Sequence, residues 1–329
     1  MTARRRAPFR IGDLEVAAGR AATGELPIAR LVTGTRISLP VQVFHGRRDG
    51  RILWLSAAVH GDEIAGVEII RRVTRSLDAR AMSGTVIAVP IVNVHGFLNG
   101  DRYLPDRRDL NRSFPGSPTG SLAARIADLF MTEIVNRCDV GIDLHTGSDH
   151  RTNLPHVRAD LDDPETRKLA EAFGAPLMLH ARVRDGSLRA AATERGATVL
   201  LYEGGEAWRF DRASLSVGSR GIRRVLTELA MIVPDDSDER PVPLESRASS
   251  WVRARRSGIA LLDVELGEVV RRGQILGVIH DSVGNRLSRV TASIDGVVIG
   301  HIQHPLVNQG DAVVHVASVD ADAPLGTLL

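Results

Sequence analysis

Cysteine is almost missing from this chain. Cys138 stands alone, which excludes an internal disulfide and any cysteine-built zinc cluster. With Val140, Ile142 and Leu144 close by, it reads as a small buried side chain in or near a strand rather than a reactive thiol. Lysine is as scarce: Lys168 is the only one, so the basic charge is nearly all arginine, interspersed with acids and leaving a formal net charge of +2. Aromatic residues make up 4% of the chain, and no basic stripe with interleaved aromatics stands out, which argues against a nucleic-acid surface. No stretch reaches the roughly 20 apolar residues that a membrane-spanning helix requires. Residues 1–10 hold several arginines but lead into no apolar segment, so they read neither as a secretory signal nor as a twin-arginine leader. These absences predict a cytoplasmic protein with no membrane or nucleic-acid partner.

What is present suits an ordinary globular protein. The 329 residues are 43% hydrophobic and 25% charged, enough for one large α/β domain and a smaller second one. The apolar run from Arg51 to Val59 predicts a strand buried on both faces, and it breaks at His60-Gly61-Asp62-Glu63 before an amphipathic segment restarts at Ile64. A histidine and a carboxylate three residues apart at such a strand-to-helix junction can both enter a cavity at the carboxyl edge of a sheet. Taken alone, this spacing fits a surface loop equally well.

Further strands are predicted at Gly84–Asn93, Asp139–Gly147 and Ala197–Tyr202, and helices at Ser121–Arg137, Glu165–Phe173 and Ser219–Ile232. Residues 11–45 read as antiparallel strands or an edge hairpin. The stretch from Asn93 to Gly120 lacks periodicity and carries Arg102, Arg107, Arg108, Asp109, Asn111 and Arg112. It reads as a long functional loop able to clamp an anionic substrate. After a polar linker at Val233–Ser250, short β runs predict a small all-β domain.

Three strand ends thus carry chemistry. His60 with Glu63, then His145, offer two imidazoles and a carboxylate, the donor set of an open catalytic zinc site. Asp143 shares a strand face with His145 and can hold its imidazole from behind. Glu203, beside two glycines, is a candidate general base and acid for the hydrolysis of an amide; Glu206 reads as a turn residue.

His60-Gly61-Asp62-Glu63, Asp109-Leu110-Asn111-Arg112, Asp143-Leu144-His145 and Glu203-Gly204-Gly205, in this order, resemble the succinylglutamate desuccinylase/aspartoacylase family, which is related to zinc carboxypeptidases. The resemblance spans residues 25–320. It implies a carboxypeptidase-like mixed α/β sheet flanked by helices over residues 1–245, and one Zn2+ per chain held by His60, Glu63 and His145. It also implies catalysis by Glu203, a substrate carboxylate bound by Asn111 and Arg112, and an oxyanion supported by Arg102. The only tyrosines are Tyr103 and Tyr202, so the substrate-contacting tyrosine that aspartoacylases carry in their C-terminal domain has no counterpart. Arg189 and Arg195 are candidates for a further substrate-reading arginine. Residues 250–320 resemble a biotinyl/lipoyl-like barrel-sandwich without the carrier lysine, hence a wall over the site or an oligomer contact. The resemblance implies a zinc-dependent deacylase of small N-acyl amino acids, monomeric or homo-oligomeric. A metallocarboxypeptidase acting on peptide C-termini and a non-catalytic small-molecule binding protein remain as alternatives.

Overall fold

The computed structural model describes residues 6–319 except 149, 183, 236 and 240. The first five residues of the arginine-bearing N-terminus and residue 320 therefore lie outside the described residues. The chain opens with an antiparallel pair, β1 (Phe9–Ile11) and β2 (Leu14–Val16), and a long hairpin, β3 (Arg20–Arg30) and β4 (Arg36–His45), as its alternating residues predict. The strand, helix, strand unit follows as β5 (Arg48–Ala57), α1 (Ala65–Arg75) and β6 (Ser83–Val89), with β5 and β6 parallel. Next come α2 (Val94–Asn99), α3 (Leu122–Glu133), β7 (Val140–Gly147), β8 (Arg151–Ala159), α4 (Pro164–Phe173), β9 (Leu177–His180), α5 (Leu188–Glu194), β10 (Thr198–Glu206) and α6 (Arg212–Glu228). The last part is all strand: β11 (Leu244–Ser246), β12 (Ser249–Arg253), β13 (Gly258–Leu262), β14 (Val269–Val270), β15 (Ile275–His280), β16 (Arg286–Thr291), β17 (Gly296–Ile302), β18 (Leu306–Val307) and β19 (Ala312–Ala317).

A mixed sheet of 13 strands runs through the molecule. Its centre is parallel, in the order β6, β5, β7, β10, and every residue of β7 is buried. That explains the near-continuous apolar runs of these strands, which are covered on both faces. On one face, Ile69, Ile70 and Val73 of α1 join Leu169 and Phe173 of α4 and Ile222 and Val225 of α6. On the other, Ile126, Phe130 and Leu188 bring in α3 and α5. Each such large apolar side chain contributes roughly 1.5–3 kcal/mol by leaving water. Parallel β5, β7 and β10 end at the same sheet edge, which is what gathers the predicted site residues.

Several elements differ from the sequence reading for local reasons. The segment after Asn93 is not wholly irregular: Asn93 caps α2 by accepting the Gly96 N–H at 2.8 Å, and Gly100 ends it with a left-handed φ of 65°. At six residues, α2 is too short to show a period. α6 starts earlier than expected because Asp211 caps it through the Ser214 N–H. Within the polar linker, β11 pairs with β9. The region after residue 250 forms a two-layer β sandwich, as expected, with β13, β15, β16 and β18 as one layer. Its other layer is not detached: β17 pairs antiparallel with β8, making β12, β19 and β17 a continuation of the main sheet.

Candidate metal and catalytic site

The chain turns sharply after β5. Ala58 takes a positive φ of 49°, and the Glu63 N–H bonds back to the His60 carbonyl at 3.1 Å, so both side chains leave the sheet edge together. Gly61 is required by space: a Cβ there would stand 2.1 Å from the Gly96 carbonyl carbon of α2. β7 brings His145 to the same place. Nδ1 of His60 lies 2.7 Å from Oε1 of Glu63, and Nδ1 of His145 lies 2.8 Å from its Oε2. The three residues are buried, and their candidate ligand atoms all lie within 4.8 Å of one another. The far nitrogens are also engaged: Nε2 of His145 with Asp143 at 2.8 Å, and Nε2 of His60 with Asp109 at 3.3 Å. Ser56 of β5 donates to the other oxygen of Asp143 at 2.7 Å. Imidazoles oriented from behind by carboxylates are the arrangement that metal-binding histidines adopt, so the donor set fits a divalent ion.

Charge in this cluster is balanced tightly. Burial opposes ionisation of Glu63, but His60 and His145 outweigh it and hold its carboxyl well below the usual range. Burial likewise opposes protonation of His145, and attraction from Asp143 and Glu63 overcomes it. Asp109 is held low against its burial by the hydrogen bond and charge of His60 and by Arg102 and Arg112.

Glu203 sits beside this cluster because β10 pairs with β7 in parallel, with Glu203 directly across from His145. Burial raises its pKa above the ordinary carboxylate value. The four residues open into one cavity of about 530 Å³. Arg102, Asp109, Asn111 and Arg112 of the predicted loop line it too, whereas Arg107 and Arg108 do not. Asp109 begins a short 3-10 turn, Leu110–Arg112, by accepting the Asn111 N–H. Asn111 in turn accepts the Leu188 N–H at 2.9 Å, tying the loop to α5. Arg102 reaches Glu63 at 3.1 Å and Ser148 at 2.6 Å, so its guanidinium lies against the cluster itself. Of the two further arginines considered, Arg189 lines the cavity and Arg195 does not. Arg189 is buried, its pKa is lowered to about 10 by that burial, and its Nη1 has no partner among the described residues.

The sequence reading missed other lining residues. Arg151, Asn153 and Arg158 come from β8, and Ser148 from the turn before it. The β8–β10 register slips between Glu203 and Gly205, so residues of both parities along β8 reach the cavity and no simple alternation marks them. Ser249, Trp251 and His315 come from the C-terminal strands. Trp251 stacks on His315 with ring centroids 4.3 Å apart, and burial depresses the His315 pKa to about 2, keeping that imidazole neutral. Cys138 is half-buried ahead of β7, away from the cavity, and burial pushes its thiol pKa up. Tyr202 is buried with its hydroxyl on the Ser214 carbonyl, leaving Tyr103 as the tyrosine at the cavity.

Comparison with known proteins gives this geometry a family. The succinylglutamate desuccinylase/aspartoacylase catalytic domain matches residues 49–229. An N-alpha-acetyl-L-2,4-diaminobutyric acid deacetylase from Halomonas elongata is 31% identical over 299 residues, 86% of each chain. A succinylglutamate desuccinylase from Burkholderia cenocepacia is 29% identical over 197 residues, 53% of this chain and 55% of the relative. Among solved structures, a succinylglutamate desuccinylase/aspartoacylase from Rhodobacter sphaeroides superposes with a TM-score of 0.82 at 28% identity, covering 94% of this chain and all of that one. The product-bound ectoine utilization protein EutE (DoeB) from Ruegeria pomeroyi gives 0.83 at 26% identity, over 92% and 97%. The match runs from before the His60 turn to the end of α6 and so takes in the strand ends of β5, β7 and β10 that bring His60, Glu63, His145 and Glu203 together. This chain belongs to the succinylglutamate desuccinylase/aspartoacylase family.

Proposed function

We propose that this protein is a zinc-dependent amidohydrolase that removes the acyl group from a small N-acyl amino acid. One observation carries the reading: two imidazole Nδ1 atoms converge on Glu63 while Glu203, the cross-strand neighbour of His145, enters the same cavity. His60, Glu63 and His145 would hold the ion. A zinc ion held there would supply Lewis-acid chemistry, lowering the pKa of a water toward about 7.

The chain's own residues do the rest. Glu203 takes the water's proton on its carboxylate and returns it to the leaving amine. Burial raises its pKa above the ordinary carboxylate value, in the direction that helps it hold the proton it has taken. Arg102 stands close enough to the cluster to stabilise charge developing on the carbonyl oxygen. Arg112 and Asn111 anchor the substrate carboxylate, and Arg189, whose Nη1 has no partner among the described residues, offers a second anchor. The division into a hydrolase over residues 1–245 and a β domain over 250–320 belongs to the same reading. Ser249, Trp251 and His315 wall the cavity from that side, which favours a small substrate over an extended peptide. The names of the relatives from Halomonas elongata and Burkholderia cenocepacia support cleavage of an acyl amide.

The test is a zinc-loaded protein assayed against N-acetyl, N-succinyl and N-formyl amino acids, with peptides alongside. About one zinc per chain, lost in His60→Ala, is expected, with turnover of at least one acylated amino acid. Glu203→Gln should keep metal and fold while turnover falls by about 10² to 10⁴. A fully active metal-free protein, or trimming of peptides with acyl amino acids inert, would overturn the proposal.

A further inference from the structure

Glu203 receives one side-chain hydrogen bond among the described residues: Asn153 Nδ2 donates to its Oε2 at 3.0 Å. That leaves Oε1 as the oxygen without a hydrogen-bond partner among the described residues. Asn153 is on β8, at the place where this strand is held on both sides. Toward the catalytic sheet it pairs with Gly205 of β10, just past the register slip that follows Glu203. Toward the C-terminal sandwich it pairs with Gly300 of β17. The next residue, Leu154, is fully buried in a cluster with Val297, Ile299 and Ala317 of the C-terminal strands.

Gly300 is not there for backbone freedom, since its φ lies outside the left-handed region. It is there for space. A Cβ at residue 300 would stand 2.8 Å from Asn153 Oδ1, the other end of the amide that holds Glu203, and 3.2 Å from the Thr152 carbonyl oxygen. Contacts this short force the neighbour to move, and the amide is the softer of the two.

We propose that Asn153 is a positioning residue for Glu203, and that Gly300 keeps the Asn153 amide in place, so that the C-terminal sandwich governs the rate of proton transfer as well as walling the cavity. The inference rests on Glu203 being the proton-transferring carboxylate. A carboxylate fixed at one oxygen presents the other in a single orientation, and misplacing a reacting group by about 1 Å is enough to cost about 10²-fold in rate.

The experiment is a double-mutant cycle on the zinc-loaded full chain, with Glu203→Gln in parallel. Asn153→Ala is expected to lower kcat by about 10- to 100-fold with KM and zinc content unchanged, and its crystal structure should show Glu203 in more than one rotamer. Gly300→Ala should lower kcat by a smaller factor. Asn153→Ala/Gly300→Ala should be no slower than Asn153→Ala alone, because the clashing amide has gone. If Gly300→Ala fails to fold while the double variant folds, the clash is shown directly. Additive effects, or a failure of both Gly300 variants to fold, would overturn the role given to Gly300. An Asn153→Ala enzyme with normal kcat, or with raised KM alone, would overturn that of Asn153. If Glu203→Gln is itself fully active, the reading of Glu203 falls first; if it is inactive and Asn153→Ala is normal, only this inference falls.

Discussion

At the scale of single residues, the site is a set of imidazoles held from two sides. Asp143 is fully buried and fixed by Ser56, so His145 has its Nε2 fixed and its Nδ1 committed to the cluster. Asp143→Asn should therefore leave the fold intact and weaken zinc binding by about 10- to 100-fold, measured by competition with a chelating dye. An unchanged affinity would mean that strand geometry alone orients His145. The residues that carry this chemistry were legible because each lies within a short, regular stretch: His60 and Glu63 in one turn, Asp143 and His145 two apart on one strand. Asn153 and Arg158 were not, since what brings them to the cavity is a slip between two strands whose pairing no local pattern encodes.

At the scale of elements, α1 shows how the helix that follows the His60 turn is stabilised by ion pairs within itself. Glu68 in its first turn is bonded by Arg71 at 2.6 Å and by Arg72 at 2.8 Å, and these partners draw its carboxyl down to about 2. A carboxyl depressed from an ordinary 4.5 stabilises the fold fully above that value and loses the contribution as pH falls toward about 2. Glu68→Gln should thus lower the thermal midpoint slightly at pH 7, by an amount worth about 0.5–1 kcal/mol for two partly exposed pairs. The gap to the unsubstituted protein should close by about pH 2. A constant gap across that range would show that the ion pairs do not account for it. The long central strands and helices were legible from their apolar periods; α2 was not, because a six-residue helix held by an Asn cap leaves no period to find.

At the scale of the whole molecule, the cavity draws its walls from residues between His60 and His315 and has an excess of arginine, with Arg112, Arg158, Arg182, Arg184 and Arg189 set against Glu63, Asp109 and Glu203. Such a cavity attracts anions over distances that salt screens. For a substrate with two carboxylates, kcat/KM should fall several-fold between about 0.05 and 0.5 M salt, while a substrate with a cationic side chain should show a flat or rising trend. Equal salt responses would mean that the arginines are neutralised within the protein. The all-β character of the C-terminal region was legible, but its fusion to the main sheet was not, because β8 is polar where it faces the cavity and meets β17 across nearly half of the chain's length.

That fusion has a kinetic consequence. β8 finds its last edge partner only when Gly300–Ile302 are in place, about 150 residues further along the chain. During synthesis, His60, Glu63, His145 and Glu203 emerge from the ribosome well before that strand does. Until then the nascent sheet waits with part of the edge of β8 open, exposed to pairing with another chain. Completion of the cavity is thus tied to the synthesis of β17, and a pause in translation between β8 and β17 would lengthen the interval in which the cavity is unfinished and that edge is open.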